Sequence, residues 1–207
     1  RTPYVSDDMI NSLAWGQAHV QSGGSFWAYT NMWIESWWTN TGRFFPLSYI
    51  HGYGIFWLVQ SVTGYKVIQF TYAVVAALSF TALLRQLRVS ASTAALAIIA
   101  MTTATQLGHV HDGLLSFGTL MPFLLTQIFL SLASFAAWLR TRRLLWLFLA
   151  LVLYVAAALT YESAHLIGIL FVAVALARGR RLRAALVDAS PFLLVMAGGI
   201  ALSVYGR

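Results

Sequence analysis

Three short stretches hold most of the side chains in this sequence that could do chemistry: Ser6-Asp7-Asp8, His109-Val110-His111-Asp112 and Tyr161-Glu162-Ser163-Ala164-His165. A fourth, Gly42-Arg43-Phe44-Phe45-Pro46, contributes an arginine in a polar, aromatic region. A carboxylate aimed into a pocket can take a proton from a hydroxyl, which is general-base chemistry. Adjacent residues at a helix start diverge by about 100°, so one of Asp7 and Asp8 can act as base while the other caps the helix or meets a cation. Asp7 is the better placed to cap, which leaves Asp8 as the preferred base. The plainer alternative is that both belong to a cap in a solvated loop. His109, His111 and Asp112 are ligand types for a divalent cation, Mg or Mn, with Asp112 and a first-loop aspartate as hard oxygen ligands. Their spacing is no H-E-x-x-H zinc signature, and a polar turn between two spans is the favoured account of them. Glu162 and His165 share a helix face if a helix starts at Thr160, and with Tyr161 they could orient a substrate or simply bond one another. The planar fork of Arg43 suits bidentate phosphate or carboxylate, and a snorkelling side chain is the simple alternative.

These groups are scarce because the chain is built for lipid. Of its 207 residues 59% are hydrophobic and 9% charged, and the mean hydropathy is +0.73. A soluble domain carries about a quarter charged residues. The sequence therefore reads as an integral membrane protein of all-α class, a polytopic transmembrane helix bundle. There is no cysteine, which excludes disulfide and thiol chemistry. Glycine-rich phosphate loops, Walker patterns and G-x-S-x-G elbows are absent from the sequence, which argues against a nucleotide-driven pump and an α/β hydrolase. The net charge of +7 reflects loop arginines and membrane topology, so no nucleic-acid partner is expected.

A helical span needs about 20 apolar residues. Such segments occur at about 65–84, 91–107, 117–139, 144–160, 164–177 and 185–205. Residues 1–64 differ. They hold Trp15, Trp27, Trp33, Trp37, Trp38 and Trp57, with Tyr29, Tyr49 and Tyr53, and these rings favour the membrane–water interface. The organisation expected is an external loop with interfacial juxtamembrane helices over 1–64 and a bundle of about six spans over 65–207, forming one integrated domain. A first helix is expected from Ser6 or Asp7 to about Gln21, ended by Gly23-Gly24. The apolar stretch 46–62 is ambiguous. Arg85 and Arg88, then Arg140, Arg142 and Arg143, then Arg178, Arg180, Arg181 and Arg183 follow every second span, which places them in the cytoplasm. With 46–62 lying on the surface, Asp7, Asp8, Glu35, Asp112 and Glu162 then fall outside together with His19, His51, His109, His111 and His165. Only Asp188 stays near the inner face.

In this order and on this side, the segments SDDMINSLAWGQ and GRFFPLSYIHGYGIFWL followed by short-looped spans resemble the GT-C superfamily of membrane glycosyltransferases. Its members include protein O-mannosyltransferases, lipid A aminoarabinose transferases, oligosaccharyltransferase catalytic subunits and GtrII-like glucosyltransferases. The resemblance implies an inverting sugar transfer from a polyprenyl-phosphate donor to a hydroxyl of a glycan, lipid or protein acceptor. The active site would lie on the periplasmic or extracellular side of a bacterial-type plasma membrane, against membrane lipid. It implies Asp7 or Asp8 as base, Arg43 in donor phosphate binding and Asp112 at a place where some members hold metal. The YESAH segment is similar to a tyrosine-glutamate step of some bacterial members, for which the resemblance supplies no role. The chain is expected to be an internal piece of a longer protein, with at least one span upstream. The competing class is a cation- or proton-coupled transporter or lipid flippase, which predicts ionisable residues at mid-span. A non-catalytic scaffold, the third option, predicts that the external acids do not converge.

Overall fold

The computed structural model describes residues 17, 20–21, 23–106 and 119–206. Among them the chain is all-α. Eight α-helices follow one another: α1 (Phe26–Thr41), α2 (Pro46–Leu58), α3 (Val62–Leu87), α4 (Ala91–Gln106), α5 (Leu120–Thr141), α6 (Leu144–Thr160), α7 (Gly168–Ala177) and α8 (Leu182–Tyr205), with a 3₁₀ segment over Glu162–Ile167 ahead of α7. The six segments expected to span coincide with α3 to α8. Three of them, α3, α5 and α8, are long and apolar enough to cross a membrane, and α4, α6 and α7 are shorter apolar helices.

The core is an aromatic knot tied between α5, α6, α7 and α8. Phe171 stacks on Phe192 at 3.8 Å, and Phe135 meets both rings edge-on at 5.3 and 5.1 Å. Tyr154 closes the group against Phe171 at 5.2 Å. All four side chains are fully buried. Lipid chains are as apolar as leucine, so hydrophobicity alone gives these helices no reason to associate; close packing does. The alanines at the helix crossings supply it: Ala136, Ala150, Ala157, Ala164, Ala175, Ala185 and Ala189 are buried and let the backbones approach. Ser131 on α5 donates to the carbonyl of Ala150 on α6, and Thr160 on α6 donates to Gln127 on α5 at 3.0 Å. Outward-facing leucines such as Leu78, Leu145, Leu194 and Leu202 are exposed, as suits a lipid-facing surface.

The two ends of the bundle differ. At one, the C-terminal ends of α3, α5 and α7 gather with the start of α8. Arg178 donates to the Gln86 carbonyl at 3.3 Å, and Asp188 accepts from Arg142 and Arg180. The arginine clusters recognised in the sequence therefore share one end. At the other end α2 lies across the helix termini. It has 13 residues, reaching about 20 Å, too short for a hydrocarbon core of about 30 Å. Phe56 on α2 stacks on Tyr65 in the first turn of α3 at 4.8 Å, and His51 stacks on Phe123 in the first turn of α5 at 4.0 Å. Just before α2, Phe45 meets Tyr161 beyond the end of α6 at 6.1 Å. All three partners belong to the same end of the bundle.

Candidate functional site

The turn that presents Arg43 is dictated locally. Gly42 adopts the left-handed conformation (φ 65°) and its N–H bonds the Trp38 carbonyl at 3.0 Å, ending α1 as a C-terminal glycine commonly does. Four residues on, Pro46 occupies the first turn of α2, where its missing N–H costs nothing. The last turn of α8 seats this turn against the bundle. A Cβ at Gly206 would approach the Gly42 carbonyl oxygen to 2.7 Å, so glycine at 206 permits a contact that a larger residue there would not.

The partner of Arg43 comes from 119 positions away in the chain. Its Nη2 lies 2.7 Å from Oε1 of Glu162, and its Nε donates to Oε2 at 3.0 Å. This is the fork-to-fork geometry in which arginine binds a carboxylate most strongly. The guanidinium carbon lies 5.3 Å from the ring centre of Trp37 and 5.0 Å from that of Phe45, so two aromatic faces also support the cation. Burial works against the charge, but the Glu162 carboxylate and the Tyr161 hydroxyl outweigh it and hold the pKa above the ordinary arginine value. The pair is a quarter exposed, 25% for Arg43 and 28% for Glu162. Because Glu162 takes the Nε–Nη2 edge, a further anion would approach from the Nη1 side.

The fold separates the functional side chains of the YESAH segment. Helix α6 stops at Thr160, and Tyr161 is extended (φ −157°, ψ 137°) before the 3₁₀ turn begins. Glu162 turns out to Arg43. His165 turns in: it is 7% exposed, its ring fills the space beside Gly199 on α8, and its carbonyl accepts from Tyr154 at 2.8 Å. It serves as packing against α8.

Beneath Arg43 runs a column of rings along α2. Phe45 stacks on Tyr49 at 5.4 Å, Tyr49 on Tyr53 at 5.7 Å, and Tyr53 meets Tyr29 of α1 edge-on at 4.8 Å. Burial holds the phenols of Tyr49 and Tyr53 far above their ordinary pKa, so they remain neutral. His51, on the same helix, is enclosed by Phe123 and Tyr72. Burial pushes its pKa down to about 4, and neither ring nitrogen has a hydrogen-bond partner among the described residues. It is therefore a neutral stacking group at physiological pH.

Asp7, Asp8, His109, His111 and Asp112, the base and metal-ligand candidates, lie outside the described residues. Downstream of the first pair, Gln17 Nε2 donates to the Gln60 carbonyl at 3.2 Å, just past the end of α2. Among the described residues no group of three or more histidine, cysteine or acidic side chains could hold a metal. Sequence reasoning named Arg43 and Glu162 separately and did not pair them. The signal was there: two opposite charges on one side of a chain this apolar are costly unless they meet. Trp37 and Phe45, which flank the guanidinium, were not singled out for that role.

No protein-family model, curated protein or solved structure matches this chain.

Proposed function

We propose that this protein transfers a sugar from a polyprenyl-phosphate donor to an acceptor hydroxyl at the aromatic, Arg43-bearing end of the bundle. The observation that carries the reading is the Arg43–Glu162 pair. It is a permanently charged guanidinium, oriented by a carboxylate and two rings, a quarter open to solvent at the edge of a lipid-facing bundle. In the transfer, Asp7 or Asp8 takes the proton of the acceptor hydroxyl. The oxygen attacks the anomeric carbon from the face opposite the phosphate, the bond from that carbon to the phosphate oxygen breaks, and the phosphate leaves with the electron pair. Arg43 binds the phosphate as its charge grows, and Glu162 and Tyr161 keep the guanidinium in place. A divalent cation held by His109, His111 and Asp112 belongs to the same expectation. The transporter alternative needs ionisable groups at mid-span, whereas the ion pairs described here sit at the two bundle ends.

The test is transfer from polyprenyl-phosphate sugars in proteoliposomes. Asp8→Asn should lower the rate at least ~100-fold, as loss of a general base does, with insertion unchanged. Full activity in both Asp7→Asn and Asp8→Asn would remove the first-loop acid from the mechanism. Absence of transfer by the unaltered protein with every such donor would remove the proposed activity.

A further inference from the structure

The opposite end of the bundle is rich in arginine and lies away from Arg43 and Glu162. Its described carboxylate, Asp188, is fully used: Arg142 grips it with two bonds at 3.1 and 3.3 Å, and Arg180 donates to it at 2.8 Å. Arg178 is tied to the Gln86 carbonyl at 3.3 Å. Among the arginines at this end that meet no carboxylate among the described residues are Arg85, in the last turn of α3, and Arg140, in the last turn of α5. Both border one cavity of about 360 Å³, whose other walls are Ala82 and Gln86. The small side chain of Ala82 makes the notch, and its volume lies within the range of small-ligand sites, about 300–1,000 Å³. Leu78 lies seven residues before Arg85, and therefore on nearly the same face of α3, and it is exposed along the lipid-facing side. The chemistry is thus a cationic notch at the end of the bundle with an apolar strip running from it toward the membrane interior.

We propose that this notch binds the phosphate of an anionic membrane phospholipid, with Arg85 and Arg140 on the phosphate and one acyl chain along Leu78. Two guanidiniums without a protein counter-ion select an anion. The adjoining exposed apolar strip selects one that carries a hydrocarbon tail over free phosphate. A basic pocket between helices at a membrane surface is a site of this kind.

The whole chain, purified in a non-ionic detergent, is titrated with dioleoyl phosphatidylglycerol, dioleoyl phosphatidylcholine or inorganic phosphate, and bound molecules are counted by native mass spectrometry. Unfolding is followed in parallel by tryptophan fluorescence. One phosphatidylglycerol should be retained and raise the unfolding temperature. Each guanidinium on the bound phosphate contributes about fivefold in affinity, so R85Q/R140Q should weaken binding about thirtyfold. R181Q/R183Q, which removes two exposed charges at the same end away from the notch, should weaken it no more than about threefold. Equal losses in the two double variants would reduce the effect to surface charge and overturn the site. Equal retention of phosphatidylcholine would overturn its charge basis, and phosphate competing as well as the lipid would overturn the role of the tail. If R85Q/R140Q does not fold, the single variants R85Q and R140Q carry the test, and unchanged affinity in both overturns it.

Discussion

Cutting the Arg43–Glu162 pair from either side should destabilise the protein, and cutting it from both should cost less than the sum, with a coupling of about 1–2 kcal/mol. The magnitude follows from the geometry. At a charge separation of about 4 Å the attraction is ~1 kcal/mol in water and ~4 kcal/mol at an effective dielectric of about 20. Side chains that are 25% and 28% exposed lie between those limits. Fully exposed pairs measure about 0.2–1 kcal/mol, because fixing two long side chains offsets much of the gain. Here the bidentate contact and the rings of Trp37 and Phe45 already restrict the arginine, so less rotamer freedom is left to lose. The cycle is R43A, E162A and R43A/E162A, unfolded in detergent and followed by tryptophan fluorescence. The variants should also be asymmetric. In E162A the guanidinium keeps two aromatic faces, whereas in R43A the carboxylate keeps only the Tyr161 neighbourhood in an apolar setting. E162A should therefore be the milder change. Coupling under about 0.3 kcal/mol, or E162A the more damaging of the two, would refute the argument that this pair holds the α1–α2 turn to the bundle.

Two further outcomes can be measured on the same material. The His51 pKa of about 4 lies below the ordinary 6.5, so between these values the unfolded chain takes up a proton that the folded one refuses. The stability contributed by neutral His51 is full above pH 6.5 and is lost as pH falls toward 4, about 3 kcal/mol in total. His51→Phe keeps the ring between Tyr72 and Phe123 and should flatten that part of the stability profile; an unchanged profile would mean that His51 is not buried as described. Gly199→Ala places a Cβ 2.5 Å from Cδ2 of the buried His165 ring and should cost about 1–3 kcal/mol. Gly198→Ala, with nothing within 4 Å of its Cβ, is the control, and equal effects at the two positions would dissolve the proposed seat of His165 against α8.

What the sequence determined by itself was the class and the layout. Too few charges to coat a soluble surface require a membrane protein, and apolar runs of span length separated by arginine clusters divide the chain almost where the helices break: the run at 144–160 is α6, and that at 91–107 is α4. Periodic arginines also fix that Arg85, Arg140 and Arg180 share one end, because two apolar helices separate each from the next. Local rules sufficed for the Arg43 turn as well, since glycine ends α1 and proline starts α2 whatever surrounds them.

Only the tertiary structure decided which side chains meet. In an aliphatic chain every helix face is apolar, so periodicity does not single out the faces that pack, and the choice falls to shape. Small alanines against large rings select the Phe135, Tyr154, Phe171 and Phe192 knot, which no local pattern announces. The spacing of Glu162 and His165 suggested a shared face, but the extended Tyr161 and the 3₁₀ turn send one to Arg43 and the other into the bundle. Pairing Arg43 with Glu162 across 119 positions depends on how α1, α2 and α6 end beside one another. That is a property of packing, and the sequence carries it only as the scarcity of charges that must find each other.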